Sequence, residues 1–160
     1  MRVISDTSPL ILLAKIGRLE LLFQLYGQVV VPVSVLDEIR GRSTEETTAI
    51  ESLVENQALE IQRGSPEALE RVPADLGAGE REAIALAMET EADIVVLDDR
   101  EGRRVARERD LPVTGTIGIL IEARARDMIP SVRRELDRLI EAGMWIDEAF
   151  YHRILHEFDE

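Results

Sequence analysis

Short β-branched runs recur along this chain between longer stretches with helical spacing, and that alternation limits the folds open to it more than any other feature. Arg2–Asp6 reads as a short buried strand, Gln28–Val31 as a second closed by Pro32, Ala58–Gln62 as a third, Asp93–Leu97 as a fourth and Pro112–Thr114 as a fifth. Between them, helices are expected over Leu10–Lys15, Leu19–Leu25, Ser34–Arg40, Thr44–Asn56, Gly77–Met88, Arg100–Arg109 and Ile117–Arg126. Ser8 followed by Pro9 has the grammar of a first helix start, with Ser8 as the cap. Arg63–Leu76, with two prolines, gives no readable pattern. Such alternation predicts an α/β fold with a central, mostly parallel sheet. Right-handed crossovers then bring strand C-termini and the following helix N-termini to one edge, where ligands bind.

A chain of 160 residues has the length of one ordinary domain, so residues 1–160 are expected to form a single unit. With 45% apolar and 32% charged residues it reads as globular and soluble, and its apolar runs are too short to cross a bilayer. The opening residues carry no small-residue cleavage site, and the chain has no cysteine. A cytoplasmic protein without disulfides or thiolate metal sites is expected. The net charge of −13 argues against a generic basic nucleic-acid surface. It suits carboxylates gathered around hard cations, or a basic partner.

Acids recur where this architecture would gather them. Asp6 ends the first strand, Glu38 lies on the helix after the second, Glu80 sits in the first turn of the Gly77 helix, and Asp98 and Asp99 end the fourth strand. Glu80 shares a helical face with Ile84 and Ala87, so it is expected to turn inward. An inward acid is costly unless it is paired, protonated or bound to metal. Each acid also has an ordinary reading: Asp6 as a helix cap, Glu80 as a helix-dipole acid, Glu38 on a solvated face, one of Asp98 and Asp99 as the cap of the next helix. Their joint placement suggests a site for Mg²⁺ or Mn²⁺, hard ions that take oxygen ligands and can activate water against a phosphodiester.

Arg100, Arg103, Arg104 and Arg107 follow at i, i+3, i+4 and i+7, a basic stripe that starts beside these acids. It can contact RNA phosphates or be a solvated face paired with Glu101 and Glu108. Aromatic residues, at 4%, are too few for a stacking recognition module.

At these residues the chain resembles the PIN-domain family, and in particular the toxin ribonucleases of VapC type. The resemblance rests on Ile4-Ser-Asp6-Thr-Ser8, on Val31-Pro32 through Glu38-Ile39, on Leu76-Gly77-Ala-Gly79-Glu80 through Ala87, on Ile94 through Asp98-Asp99-Arg100, and on Thr114-Gly115-Thr116-Ile-Gly118. It implies a three-layer α/β/α sandwich with a core over about 1–126; the helical C-terminal extension over about 130–160 goes beyond a minimal PIN domain. It also implies a metal-dependent endoribonuclease that binds Mg²⁺ or Mn²⁺ through Asp6, Glu80, Asp98 and Asp99, with Glu38 a further catalytic acid. Ser8 and Thr116 would support those acids. The implied partners are an RNA substrate, a small antitoxin protein and a second copy of the chain in a homodimer. Two departures stand out: Glu80 holds a position where many members carry aspartate, and two adjacent aspartates compete at 98 and 99.

The extension is amphipathic, with Val132, Leu136, Leu139 and Ile140 at helical spacing, and reads as extra core packing or as a dimer or antitoxin surface. His152 and His156, four residues apart with no third ligand nearby, read as exposed helix histidines. An alternative to the nuclease is a PIN-like interaction or regulatory protein with little or no turnover. A phosphate-handling receiver or phosphatase would leave Glu38 and Glu80 without roles.

Overall fold

A computed structural model describes residues 1–160. Five strands form one sheet in the order β3-β2-β1-β4-β5, every neighbouring pair parallel: β1 (Val3–Ser5), β2 (Val29–Pro32), β3 (Leu59–Gln62), β4 (Ile94–Val96) and β5 (Val113–Thr114). The strands alternate their side chains between two apolar layers, as a pleat requires. Val3, Val29, Val31 and Val96 face one layer, and Ile4, Val30, Val95 and Leu97 the other. All eight are buried, so the central strands β2 and β4 read as continuous apolar runs, the mark of a parallel sheet covered on both faces, while the edge strands β3 and β5 are mixed.

The first layer is built by α1 (Thr7–Lys15), α2 (Glu20–Tyr26), α3 (Val33–Arg40), α4 (Glu45–Glu55), α8 (Thr116–Ala125), α9 (Val132–Glu141) and α10 (Glu148–Glu157). The second is built by α5 (Pro66–Glu70), α6 (Ala78–Thr90) and α7 (Arg100–Glu108). The three-layer arrangement is therefore the one expected. Burial of each large aliphatic side chain in these layers contributes roughly 1.5–3 kcal/mol. No helix is long and apolar enough to cross a membrane.

Two local expectations are corrected. The first helix starts at Thr7 with Asp6 at its cap position, so Ser8 and Pro9 lie inside the first turn. Asp6 is extended (φ −79°, ψ 174°) because its N–H completes the sheet by donating to Val96 O at 3.1 Å, and this fixes the helix start two residues early. The unreadable segment contains α5, capped by Ser65, whose Oγ accepts the Ala68 N–H at 3.1 Å, with Pro66 in the first turn.

The C-terminal helices are core elements. Val132, Leu136, Leu139, Ile154 and Leu155 are buried in the first layer. Glu135 on α9 is fully buried and accepts from Arg18 Nη2 at 2.9 Å, tying α9 to the turn between α1 and α2. Glu160 reaches back over the start of α9, accepting from Ser131 Oγ at 2.6 Å and the Val132 N–H at 2.9 Å. Ile140 and Trp145, at 46% and 82% exposed, are the large apolar residues this packing leaves in solvent.

Candidate active site

The strand order reverses direction between β1 and β4, and their C-terminal ends lie side by side. In an open parallel sheet that point leaves a crevice unfilled by a crossover, and ligands settle there. Asp6 leaves the end of β1 and Asp98 follows Leu97 just beyond β4, so the two acids flank the crevice.

The N-terminus of α6 supplies the third side. Its cap, Gly77, is followed by Ala78, Gly79 and Glu80, and the free N–H groups of this first turn attract negative charge. The Gly79 N–H donates to Glu38 Oε1 at 3.1 Å, so an acid carried on α3 caps α6. A Cβ at Gly79 would stand 2.8 Å from both Asp6 Oδ1 and Glu38 Oε1. Only glycine lets the two carboxylates come this close to the helix. Glu80 folds back over Gly77, where a Cβ would collide with its Oε2.

Each acid is held by a different device. Thr7 Oγ1 donates to Glu38 Oε2 at 2.6 Å. Thr116, fully buried, grips Asp98 twice, its N–H donating to Oδ1 at 2.8 Å and its hydroxyl to Oδ2 at 2.6 Å. Asp99 Oδ2 accepts the Gly102 N–H at 2.8 Å and caps α7. Asp6 is 3% exposed and makes no side-chain capping bond. None of the five acids forms an ion pair; every ion pair of the chain lies elsewhere.

The charge balance follows from that placement. Burial pushes the Asp6 carboxyl up to about 7, with the Glu80, Glu38 and Asp98 charges adding to it and the Thr7 backbone N–H opposing it. Burial also raises Glu80, and the Asp99 charge raises it further. Buried like charges with no basic partner are what a divalent cation would relieve. No three histidine, aspartate or glutamate side chains converge closely enough to hold an ion as they stand. The donor set nevertheless fits a hard cation, since it is all carboxylate and hydroxyl oxygen. Sharing an ion requires the carboxylates to turn toward one another from their present partners.

The model of the DUF3368 family, a PIN domain, matches residues 2–160. The chain belongs to the PIN-domain family. The match includes the C-terminal helices, so for this PIN domain they are part of the family pattern. No curated protein sequence gives a significant match. Among solved structures the PIN domain is similar in fold to a chain of VapBC2 from Rickettsia felis, crystallised with a DNA fragment from the promoter. The identity is 15%, with 72% of this chain and 98% of that chain covered at a TM-score of 0.50. PIN domains are in general nucleases, and this places the chain among nuclease folds.

Within the PIN domain, Asp6, Glu38 and Glu80 line a cleft of about 320 Å³ that also takes in Thr7, Ser8, Lys15 and Arg42. Asp98 lines the neighbouring cleft, and Asp99, exposed at the cap of α7, acts on Glu80 through its charge. Glu80 is only half-buried, less inward than its helical spacing implied. Ser8 is exposed on that cleft, and the hydroxyl that supports an acid belongs to Thr7 instead. Sequence reasoning passed over Thr7, though a hydroxyl next to a strand-ending aspartate marks it. Lys15 and Arg42 were also passed over; they reach the cleft from the far end of α1 and from just past α3.

The arginine stripe divides. Arg104 is taken by Glu101 and Glu108, as a solvated face would be. Arg100 and Arg107 are exposed. Arg103 is half-buried and donates to Leu97 O at 3.0 Å, beside Asp98. Glu82, two residues past Glu80 in an apolar run, is buried and accepts the Ser34 N–H at 2.8 Å and the Gly64 N–H at 3.3 Å. It fixes the start of α3 and hence the base of Glu38. His152 and His156 are exposed on α10, as expected, with His152 3.8 Å from Glu148.

Proposed function

We infer that this PIN domain is a divalent-metal-dependent endoribonuclease, the toxin of a toxin–antitoxin pair. The observation that carries the reading is the buried Asp6 carboxyl, without an ion-pair partner, at the β1/β4 switch point, with the charges of Glu38, Glu80 and Asp98 raising its pKa. Asp6, Glu80 and Asp98 are assigned to Mg²⁺ or Mn²⁺. Asp99 contributes the carboxylate oxygen its cap leaves free, and Glu38 is a further acid at the rim. A bound ion of this kind would make a water lose its proton readily enough to attack phosphorus, and would screen the charge that builds on the phosphate.

The chain's own residues do the rest. Thr116 fixes the Asp98 carboxylate in one rotamer, Thr7 and Gly79 fix Glu38, and the α6 N-terminus favours negative charge in the crevice. Lys15 and Arg42 at one end and Arg103 at the other place cations on the path of a phosphate backbone. The acidic cleft is complementary to a basic segment of a small antitoxin. A homodimer and a cytoplasmic location accompany this assignment.

The test is cleavage of structured RNAs, tRNA included, by partner-free protein in Mg²⁺, Mn²⁺ or EDTA, with Asp6→Asn in parallel. Metal-dependent cleavage that disappears in Asp6→Asn is the expected result. A folded, metal-binding protein that cleaves none of these RNAs would instead be an interaction protein on a PIN scaffold.

A further inference from the structure

A second cleft, of about 340 Å³, opens on the other side of Asp98, between β5, α8 and the segment entering α10. That volume lies at the lower end of the range for small-ligand sites, about 300–1,000 Å³. Its walls are Ile117 and Ile121 from α8, with Met144 and Phe150 from the C-terminal extension. Its inner end is polar: Asp98, Arg103 and Thr114.

Three features of that end call for a ligand of a particular kind. Arg103 is half-buried and makes one hydrogen bond, to Leu97 O, and no ion pair, although burial and the nearby Arg107 charge both work against its own. Gly115 has no Cβ, and one there would stand 2.7 Å from both Arg103 Nη1 and Asp98 Oδ1, so the backbone leaves both groups open to the cleft. Thr114 takes part in the sheet through its carbonyl, which accepts the Leu97 N–H at 2.9 Å, and its hydroxyl is uncommitted. At the outer end the Arg153 guanidinium lies 5.4 Å over the Phe150 ring, adding a second positive charge to the apolar wall.

We propose that this cleft is a nucleotide subsite: it takes the base next to the scissile phosphate against Phe150 and Met144, with Arg103 on the phosphate. The inference rests on the ribonuclease reading and names the part of that substrate the second cleft holds. The chemistry favours a nucleotide over an apolar peptide side chain. A peptide side chain would fill the walls but offer no second anion to Arg103, whose charge is supported only by the nearby Asp98 and by no ion pair. A base with its phosphate meets both, and every base has a π-face that an aromatic ring accepts. In a protein of net charge −13, Arg103 inside a largely apolar cleft, with Arg153 over its Phe150 wall, is the complement of that ligand.

The test is binding without turnover, on the full chain in EDTA. Nucleoside 5′-monophosphates, adenosine and inorganic phosphate are titrated separately while the Met144 methyl is followed by NMR and Trp145, the single tryptophan, by fluorescence. Saturable shifts at Met144 with nucleotides are expected, at least about tenfold weaker with phosphate alone. Met144→Glu, at a half-exposed position outside any helix or strand, and Arg103→Gln should each weaken nucleotide binding by about tenfold. Both variants are checked for wild-type folding by circular dichroism. Absence of any Met144 shift with millimolar nucleotide would overturn the proposal, as would equal binding by Met144→Glu. An apolar peptide that shifts Met144 where nucleotides do not would give the cleft to a protein partner, and the proposal would fall. Because no cleavage is read, nucleotide binding by a protein inactive on RNA would sink the ribonuclease reading and leave the subsite standing.

Discussion

Asp6→Asn should make the metal-free protein more stable at neutral pH, although it removes the acid at the centre of the site. The native carboxyl titrates near 7 against an ordinary 3.8, and each pKa unit is about 1.4 kcal/mol, so holding it ionised in the folded state costs up to about 4 kcal/mol. The sign follows from proton counting. Between pH 4 and 7 the folded protein holds a proton that the unfolded chain has released, so this group's contribution is fully present below pH 4 and is lost as pH rises through 7. Asparagine mimics the neutral acid at every pH. In EDTA the two proteins should therefore melt together near pH 4. At pH 8 the variant should be stabler by roughly 2–4 kcal/mol, a Tm gain on the order of 5–15 °C for a domain of this size. Mg²⁺ should then raise the Tm of the native protein at pH 8 and leave the variant unmoved. Thermal melts at four or five pH values, with and without Mg²⁺, read all of this. Parallel Tm curves for the two proteins from pH 4 to pH 8 in EDTA would refute the reasoning.

Other perturbations separate the roles of neighbouring groups. Thr116→Val keeps the shape of a fully buried side chain but removes a hydroxyl donor to Asp98; it should cost about 1–2 kcal/mol in urea denaturation and more than tenfold in RNA cleavage. Glu135→Leu should cost about 3–5 kcal/mol by the same denaturation assay, because it strands Arg18 beside a buried apolar layer. Arg104→Ala should change stability by less than about 0.5 kcal/mol and leave the KM for RNA unchanged, since its exposed pairs with Glu101 and Glu108 face solvent.

The frame of this molecule was readable because its signals are local. Val29–Val31 and Ile94–Val96 are unbroken β-branched runs, buried on both faces, and such runs have few homes outside a parallel sheet. Gly79 and Glu80 were legible because a glycine-rich helix start followed by an acid is a local pattern. What failed depended on contacts between distant segments. The first helix begins at Thr7 because Asp6 bonds to Val96, ninety residues away, and no local grammar shows that. Glu82 carries no local mark of its role, which exists only because the start of α3 lies over it. Asp98 and Asp99 were indistinguishable in sequence, and they differ because one meets Thr116 and the other the Gly102 N–H. The cleft beside Asp98 takes walls from α8 and from the chain leading into α10, so it exists only in the folded molecule.

The pairing of β1 with β4 also sets a schedule. Asp6 is made ninety residues before Val96, the acceptor of its N–H, and the threonine that fixes Asp98 is residue 116. Parallel pairing over such separations is slow, because the intervening loop must be closed before any contact rewards it. A growing chain therefore carries Asp6, Glu38 and Glu80 as separate, solvated charges until β4 has been made. The crevice is assembled only after four strands have been made, and it is clamped only when α8 has begun to fold. A fragment that stops before residue 94 contains Asp6, Glu38 and Glu80 but has no second wall against which to hold them. Whatever chemistry the crevice carries, the topology withholds it until β4 and the start of α8 have been made.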